Sequence, residues 1–475
     1  MSKQKVKKRC IFFCPTHPTS LHKLLQIAAS IDVNLPIIFV VINSYVAKNT
    51  DLIKEAGFEF VCIEKFDVSK QTLLSADIKK PQGLLYNNNF FANVKAVISR
   101  LKIVQRLTRS RRERFVSNLQ TDLVEEYQQK KSNSKRLFDD YSPEVFIASS
   151  DRILGYLCCL LSEAKSRKVK VIIPPIAVIS GSKEVVENRL KKQDSNFLAS
   201  DSGLEKELPE QFFSSKNGTL VSFFPVWMLK KLSDLNVLPK SPWRYGESFA
   251  DILLLDGELQ KKNCINEGID PKKLLVVGDT EFDTLYEVWS KRIDIGKSKK
   301  AVIALPQLFE HGLLNLDEQI ELVTHICKGA ASNNIECLLS LHPKMPLSRY
   351  QFLETIPQVS ISSKPLRTIL PDADVFIAIN GSSTWLWAAL CGIPTILCDW
   401  SGLDYDFIDH ENLGLDVVRS KDEYPKRIAK LLEDHDFYEK QKEMQLIAAA
   451  KLAKFDGKAG SRISAVINDF IRLES

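Results

Sequence analysis

The sequence predicts an α/β protein made of two tandem domains, each built around a parallel sheet. Short apolar runs alternate with stretches of helical periodicity, and this alternation is typical of right-handed βαβ units. The chain has 475 residues, enough for two or three domains. A polar, glycine-containing stretch at 294–300 separates two sets of strands. We therefore expect an N-terminal domain over residues 1–296 and a C-terminal domain over residues 297–475.

Each predicted strand is a short apolar run that ends in small or polar residues. The intervening segment 180–247 is polar and irregular, and we expect loops and helices there as excursions on the first domain. Predicted strands of the first domain are residues 9–14, 36–42, 58–63, 145–148, 169–173, 250–255 and 274–277. Those of the second domain are 301–305, the runs that end before His342 and Asn380, and 393–399. Helices are predicted at 21–28, 94–138, 153–164, 317–332 and along the tail 421–475.

The composition is that of a globular protein with a hydrophobic core. Hydrophobic residues make up 44% and charged residues 26% of the chain. Lys and Arg number 65 against 59 Asp and Glu, an excess too small to indicate a nucleic-acid partner. No apolar run approaches the roughly 20 residues of a membrane span. Five of the cysteines lie in apolar runs: Cys62, Cys158, Cys159, Cys337 and Cys398. This placement indicates buried thiols in a reducing compartment and therefore predicts a cytoplasmic protein.

Two loops of the second domain carry residue types that suit a phosphate. One begins at His342 after a predicted strand, and the other is a run of small and hydroxyl residues before a predicted helix. Helix N-termini, hydroxyls and cationic side chains all favour bound anions. The alternatives are a simple turn at His342 and ordinary helix capping by the serines. The candidate phosphate-binding residues are His342, Pro343, Lys344, Asn380, Gly381, Ser382, Ser383, Thr384 and, from the loop after 301–305, Gln307.

The candidate acid–base residues lie in three other loops. Glu310 and His311 follow the first strand of the second domain, where a carboxylate beside an imidazole is a common acid–base pair. His17 lies between two prolines in the first strand-to-helix loop, and the pKa of a histidine suits a general base. Asp151 is the alternative base, although Asp at this place is also a common helix cap.

Tandem parallel-sheet domains, a His-Pro pair after a strand and a Ser-Ser pair before a helix together resemble glycosyltransferases of the GT-B type. The patterns are most similar to bacterial surface-polysaccharide enzymes, namely sialyltransferases, capsule Kdo transferases and CDP-glycerol glycerophosphotransferases. The stretch 250–283 also resembles UDP-N-acetylglucosamine epimerases, and 456–463 resembles a C-terminal helix that crosses back to the first domain. The resemblance covers about residues 250–470. Two features depart from it: the loop 380–384 lacks the glutamate motif of the epimerases, and the helix after it, WLWAAL, lacks the acidic residue that retaining GT-B enzymes often have there.

The resemblance implies a GT-B-like fold with two Rossmann-like domains facing a cleft, and a transferase that needs no cofactor. Its donor would be a nucleotide-activated sugar, such as an acidic sugar or a polyol phosphate, and its acceptor a glycan or a lipid-linked glycan. His342, Ser382 and Ser383 would contact the donor phosphate. No Asp-x-Asp pair follows a second-domain strand, so we expect no metal requirement. The basic segment 100–114 is either a solvated helix face or a contact with the inner membrane. The alternative functions are those of an epimerase and of a non-catalytic GT-B-like protein.

Overall fold

A computed structural model describes residues 8–64, 102–176, 182–191, 197–199, 203–292, 299–310, 312–342, 344–401 and 409–472. The first sheet contains β1 (Lys8–Cys14), β2 (Ile37–Val41), β3 (Glu59–Cys62), β4 (Tyr141–Ala148), β5 (Lys170–Ile173), β8 (Ile252–Leu255) and β9 (Leu274–Val276). A separate antiparallel hairpin is formed by β6 (Phe213–Lys216) and β7 (Thr219–Ser222). The second sheet contains β10 (Lys300–Ala304), β11 (Glu336–Ser340), β12 (Val359–Ile361), β13 (Val375–Ile379), β14 (Thr395–Cys398) and β15 (Asp416–Val418).

Helices connect these strands along the described parts of the chain. In the first half they are α1 (Pro18–Ser30), α2 (Ser44–Ala47), α3 (Thr50–Glu55), α4 (Lys102–Asp140), α5 (Tyr156–Ser166), α6 (Ser182–Lys191), α7 (Val226–Asp234), α8 (Glu258–Asn266) and α9 (Thr280–Ser290). In the second half they are α10 (Leu316–Ala331), α11 (Leu347–Tyr350), α12 (Leu366–Ile369), α13 (Trp385–Leu390), α14 (Tyr424–Glu433), α15 (His435–Leu452) and α16 (Ala459–Arg472).

The first sheet has the strand order β3-β2-β1-β4-β5-β8-β9 and parallel pairing between its neighbours. Ile11, Phe12 and Phe13 of the central strand β1 are fully buried. Burial of consecutive residues is expected where helices cover both faces of a parallel sheet. Strands β1 and β4 lie side by side but lead to opposite halves of the sheet, so a crevice opens beyond their carboxyl ends.

The second sheet has the order β12-β11-β10-β13-β14-β15, again parallel throughout. Counted from its own first strand, this is the order 3-2-1-4-5-6 of dinucleotide-binding domains. The reversal falls between β10 and β13. Every residue of Val375–Ile379 is buried, as the apolar run predicts. The expectation of two parallel-sheet α/β domains is thus confirmed.

The segment 180–247 is more regular than predicted. It forms α6, the β6–β7 hairpin and α7. The hairpin turns at Asn217 and Gly218, whose φ angles of 51° and 74° are both positive. Positive φ at both central residues is the requirement of the two-residue type I′ turn that Asn-Gly favours. The hairpin is anchored because Val221 is fully buried and packs with Trp243.

The predicted burial of the cysteines holds for four of the five thiols named above. Cys158, Cys159, Cys337 and Cys398 are buried, whereas Cys62 is exposed. The prediction for Cys62 is wrong, because Cys62 lies on β3, which among the described strands is the edge strand of its sheet.

Contacts along the chain divide it into two compact units. The first comprises Met1–Leu253, Cys264–Leu274 and Ala465–Ser475, and the second Leu254–Asn263 and Leu275–Ser464. The end of α16 belongs to the first unit, where the Asn468 side chain donates to the Asp32 carbonyl at 3.1 Å. The predicted boundary at 296/297 lies in 293–298, outside the described residues, and stays a prediction. Among the described helices, none has the length and apolar character needed to cross a membrane.

Candidate functional site

The carboxyl ends of the second sheet bring four loops to one edge, because all its strands are parallel. These loops begin after β10, β11, β13 and β14, and they carry Gln307, His342, Asn380 and Asp399 respectively. Strands β11 and β13 are separated by β10 alone, so their ends lie about 10 Å apart at ordinary strand spacing. The two loops predicted to bind phosphate therefore flank the point where the strand order reverses.

His342 is oriented by the backbone of its own loop. Its Nδ1 accepts a hydrogen bond from the Lys344 backbone N–H at 3.2 Å, and its carbonyl accepts from the Met345 N–H at 2.8 Å. A neutral imidazole that accepts at Nδ1 carries its proton on Nε2. His342 therefore presents an N–H donor, which suits a phosphate oxygen. Lys344 is exposed beside it, and Pro343 lies outside the described residues.

The Asn380 side chain links the ends of β13 and β14. It is only 5% exposed, and its Nδ2 donates to Asp399 Oδ1 at 3.2 Å. Its Oδ1 is buried and has no hydrogen-bond partner in the described structure. Gly381 follows with a φ of 89°, a conformation that favours glycine and turns the chain sharply. This turn separates the strand from the hydroxyl residues that come next.

Ser382, Ser383 and Thr384 form a turn before the helix rather than its first residues. Ser382 Oγ lies 2.7 Å from Thr384 Oγ1, and the Ser382 N–H donates to the Ile379 carbonyl at 3.2 Å. Ser383 is exposed. Helix α13 starts only at Trp385 and has six residues. Its dipole is consequently smaller than the sequence suggested, so an anion here would depend mainly on the hydroxyls and turn N–H groups.

Sequence reasoning missed His410 and Asp399 as members of this edge. His410 is 5% exposed, its ring lies edge-on to Trp385 at 5.4 Å, and its Nε2 has no partner in the described residues. Burial lowers the pKa of His410, although Asp399 and Asp409 oppose the shift. Asp399 follows directly from β14 and was recognisable as a strand end, whereas His410 belongs to no motif. Further buried polar atoms without a partner in the described structure lie in the same loop: Trp400 Nε1 and Ser401 Oγ. Buried polar atoms are normally hydrogen-bonded, so these atoms are candidates for contact with a ligand at this edge.

The Glu310 carboxylate, in the loop after β10, is held by neighbours. Its Oε1 accepts from Arg349 Nη1 at 2.9 Å and from Tyr350 Oη at 2.8 Å. Its side chain is 8% exposed, and Oε2 is buried without a partner in the described residues. Burial and the bond to Glu310 raise the pKa of Tyr350 to about 12. This geometry is that of an orienting ion pair. His311 lies outside the described residues, so the predicted Glu310–His311 pair stays a prediction; Gln307 is half-buried.

In the first domain, hydrogen bonds join the loops at the reversal between β1 and β4. Thr16 Oγ1 lies 2.9 Å from Ser149 Oγ, and the Thr16 carbonyl accepts from Asn43 Nδ2 at 2.9 Å. His17 is exposed and caps α1, because its Nδ1 accepts from the Thr19 N–H at 3.3 Å. As at His342, the neutral ring then carries its proton on Nε2. A base role for Nε2 requires the other tautomer, and therefore the loss of this cap.

Asp151 is placed differently from a solvent-accessible base. It is 1% exposed, and its carboxylate accepts from the backbone N–H groups of Gly246 at 3.0 Å, Ser248 at 3.0 Å and Phe249 at 3.4 Å. Burial raises its pKa while these three bonds oppose the shift. The structure therefore favours Asp151 as the anchor of the 246–249 loop, and its base role remains an untested alternative.

Two further expectations concern metal and membrane. Within the described residues no group of three or more His, Cys, Asp or Glu side chains is arranged to hold a metal ion. The basic segment 100–114 falls largely on α4, whose side chains before residue 121 lie outside the description. Both expectations stay predictions.

No protein-family model and no curated protein matches the sequence. Solved structures do match its fold. CalG4, the calicheamicin glycosyltransferase, superposes with a TM-score of 0.54 at 10% identity, over 98% of this chain and 99% of that one. A UDP-N-acetylglucosamine 2-epimerase gives 0.53 at 11% identity over 98% and 97%. The UDP-GlcNAc 2-epimerase from Neisseria meningitidis, bound to UDP-GlcNAc, gives 0.50 at 11% identity over 98% and 100%.

These likenesses extend over nearly the whole length of each chain, at identities that establish fold alone. Together with the two parallel sheets, they show an α/β protein with two Rossmann-like domains, of the GT-B-like architecture that glycosyltransferases and UDP-N-acetylglucosamine 2-epimerases share.

Proposed function

We propose that this protein is a metal-independent glycosyltransferase that moves a sugar or sugar-like group from a nucleotide-activated donor to a glycan acceptor. The C-terminal domain would bind the nucleotide, and the N-terminal domain the acceptor. The proposal is supported by the fold and by the chemistry of the loops at the edge of the second sheet. Lipid-linked surface glycan as the acceptor, a cytoplasmic location and contact with the inner membrane belong to the same proposal.

The main support for this proposal is the position of three side chains at the edge of the second sheet. His342, which carries a donor N–H on Nε2, follows β11 on one side of β10. The hydroxyls of Ser382 and Ser383 follow β13 on the other side. Open α/β sheets bind ligands outside the carboxyl ends of their strands at the point of reversal. A spacing of about 10 Å between strand ends suits a ligand of nucleotide size better than a single ion.

These residues suit the departure of a nucleotide. As the bond between sugar and phosphate breaks, negative charge grows on the phosphate oxygens. The Nε2–H of His342, the ammonium of Lys344 and the serine hydroxyls can meet that charge without a metal ion. Prearranged donors directed at developing charge usually provide the largest part of catalysis.

The acceptor hydroxyl needs a base, and His17 remains the proposed one. In its capped state the ring offers a proton at Nε2 rather than a lone pair. We therefore propose that substrate binding rearranges the loop and releases Nδ1 from the Thr19 N–H. His22 is exposed on α1, the helix that His17 caps. The Asp151 carboxylate is held by the 246–249 loop. Each is therefore an alternative base with less support.

The direct test is a donor panel. The whole protein is incubated with CMP-, CDP-, UDP- and GDP-sugars, and its melting temperature is recorded, since a ligand that binds the folded state stabilises it. A stabilising donor is then incubated with candidate glycans, and transfer is followed by mass spectrometry. Stabilisation by one nucleotide class with transfer supports the proposal. No stabilisation by any donor would contradict it.

An epimerase is the second candidate, because epimerases of this fold align over almost the full chain. The proteins that match include one bound to UDP-GlcNAc. Against this, the loop from Asn380 to Thr384 contains no glutamate, so the motif that the resemblance to epimerases implies there is missing. NMR of the donor without acceptor separates the two functions. Inversion at C2 of the sugar identifies an epimerase, whereas a transferase leaves that centre unchanged.

A further inference from the structure

A guanidinium that makes no ion pair within the described residues follows the carboxyl end of β4. Arg152 is half-buried, so part of its side chain reaches solvent, whereas its Nη1 is buried and has no hydrogen-bond partner in the described residues. The backbone N–H of Arg152 donates to Ser150 Oγ at 3.2 Å. Buried polar atoms in proteins are normally hydrogen-bonded, so the lack of a partner for Nη1 needs an explanation.

Two aromatic rings hold the guanidinium in place. Its Cζ lies 4.7 Å from the ring centre of Tyr245 and 5.5 Å from that of Phe223. Tyr245 is itself fixed, because its hydroxyl donates to the Ser149 carbonyl at 3.0 Å. Cation–π contacts offset part of the cost of burying a cation but do not satisfy its N–H groups. The rings therefore orient Arg152 while leaving hydrogen-bond donors unused.

The neighbouring carboxylate does not pair with it. Asp151 directs its two oxygens to the backbone N–H groups of Gly246, Ser248 and Phe249. Its charge still attracts the guanidinium, yet burial has the larger effect and lowers the pKa of Arg152. A cation whose adjacent carboxylate is occupied elsewhere is suited to an incoming anion.

The position of Arg152 in the loop after β4 independently supports an anion site. Strands β1 and β4 flank the reversal of the first sheet, where such sheets bind ligands. Hydroxyls of Thr16 and Ser149 lie 2.9 Å apart in the two loops that meet there. Arg152 belongs to the loop that begins at Ser149, and the planar fork of an arginine suits the two-point recognition of a carboxylate or phosphate.

We propose that Arg152 binds an oxyanion of the acceptor, either the carboxylate of an acidic sugar or a phosphate group. The first domain would then select anionic glycans or glycan phosphates. This inference rests on the proposed function for its substrate class, while the anion site itself rests only on the first domain. The competing explanation is that Arg152 is a clamp that holds the 243–249 segment through Tyr245.

The test uses the full chain and four probes: glucuronate, glycerol 3-phosphate, inorganic phosphate and neutral glucose. Binding is measured by calorimetry and by thermal shift at constant ionic strength. Arg152→Met keeps the apolar contact with both rings but removes the charge, and Arg152→Lys keeps the charge but loses the fork. Arg167→Met is the matched control, since Arg167 also lies over an aromatic ring, Phe138, but is ion-paired with Glu163 and Asp139.

We expect saturable binding of at least one anion, no binding of glucose, and a loss of at least about tenfold in affinity in both Arg152 variants. The control variant should bind as the wild type does. Glucuronate alone would identify a carboxylate site, and the two phosphates a phosphate site. Equal anion binding by wild type and Arg152→Met, or no anion binding by the wild type, would overturn the proposal. Nucleotide-sugar binding measured on the same samples keeps the two proposals distinct, because Arg152→Met should leave it unchanged.

Discussion

The Nδ1 atom of His342 accepts a hydrogen bond from the backbone N–H of Lys344 over 3.2 Å. This bond fixes the ring and places the proton of the neutral form on Nε2. The same loop thus supplies an oriented N–H donor and, two residues later, an exposed ammonium. The N–H donor and the ammonium both suit the negative charge of a phosphate leaving group.

Replacing His342 should weaken donor binding in a graded way. His342→Ala removes the N–H donor, and a hydrogen bond to a charged group contributes about 1.5–3 kcal/mol, so the Kd for the nucleotide sugar should rise at least about tenfold. His342→Gln retains a side-chain N–H and should lose less. Calorimetric titration of both variants checks this order. Unchanged affinity in His342→Ala would remove this residue from the site.

A pair of variants separates the chemistry of His17 from its structural role. His17→Asn keeps an excellent helix cap but removes the imidazole, whereas His17→Ala removes both. Loss of a general base typically lowers the rate about 10²–10⁴-fold. If His17 is the base, kcat should fall to a similar extent in both variants while donor affinity is preserved.

Only His17→Ala should also lower the melting temperature, because an N-cap contributes about 1 kcal/mol. Near-normal turnover by the stable Asn variant would show that the imidazole caps α1 and does no chemistry. The role of base would then pass to His22 or Asp151.

Burial of His410 should make the protein less stable in mild acid. Its folded-state pKa is lowered from the usual value near 6.5. As the pH falls below this value, the unfolded chain takes up a proton that the folded protein binds only at lower pH. Stability that is fully present above about pH 6.5 is therefore lost as the pH falls toward the folded-state pKa.

His410→Gln should reduce the fall in melting temperature between pH 7.5 and pH 5.5, measured against wild type. His435→Gln is the control, because His435 is an exposed residue at the start of α15. An equal fall in all three proteins would show that His410 does not govern this part of the pH dependence.

The strands were predictable because burial on both faces leaves a strong local pattern. Val375–Ile379 is a continuous apolar run and every residue in it is buried. The β6–β7 hairpin was missed although Asn217-Gly218 signalled it. Its strands have four residues each, and Phe213–Lys216 is mostly polar, so the alternation that identifies strands is weak.

The candidate site was predictable only where strand ends define it. His342 and Ser382 follow apolar runs, so their position at the sheet edge could be inferred. The surroundings of Glu310 could not, because its partners Arg349 and Tyr350 come about 40 residues later. Asp151 likewise is anchored by a loop more than 90 residues downstream. Which polar side chains turn inward depends on such distant contacts, and no local pattern records them.

Substitution of Ser382 and Ser383 is the most direct test of whether the second domain binds the donor nucleotide. Ser382→Ala combined with Ser383→Ala removes both hydroxyls from the proposed phosphate site. The matched control is Ser360→Ala combined with Ser362→Ala, which removes two hydroxyls from β12 and the turn after it in the same sheet. Calorimetric titration of both double variants with the nucleotide sugar that stabilises the wild type provides the comparison. We expect a Kd at least about tenfold higher in the 382/383 variant, since each bond to a charged group contributes about 1.5–3 kcal/mol, and wild-type affinity in the control. Wild-type affinity in the 382/383 variant would show that the nucleotide binds elsewhere.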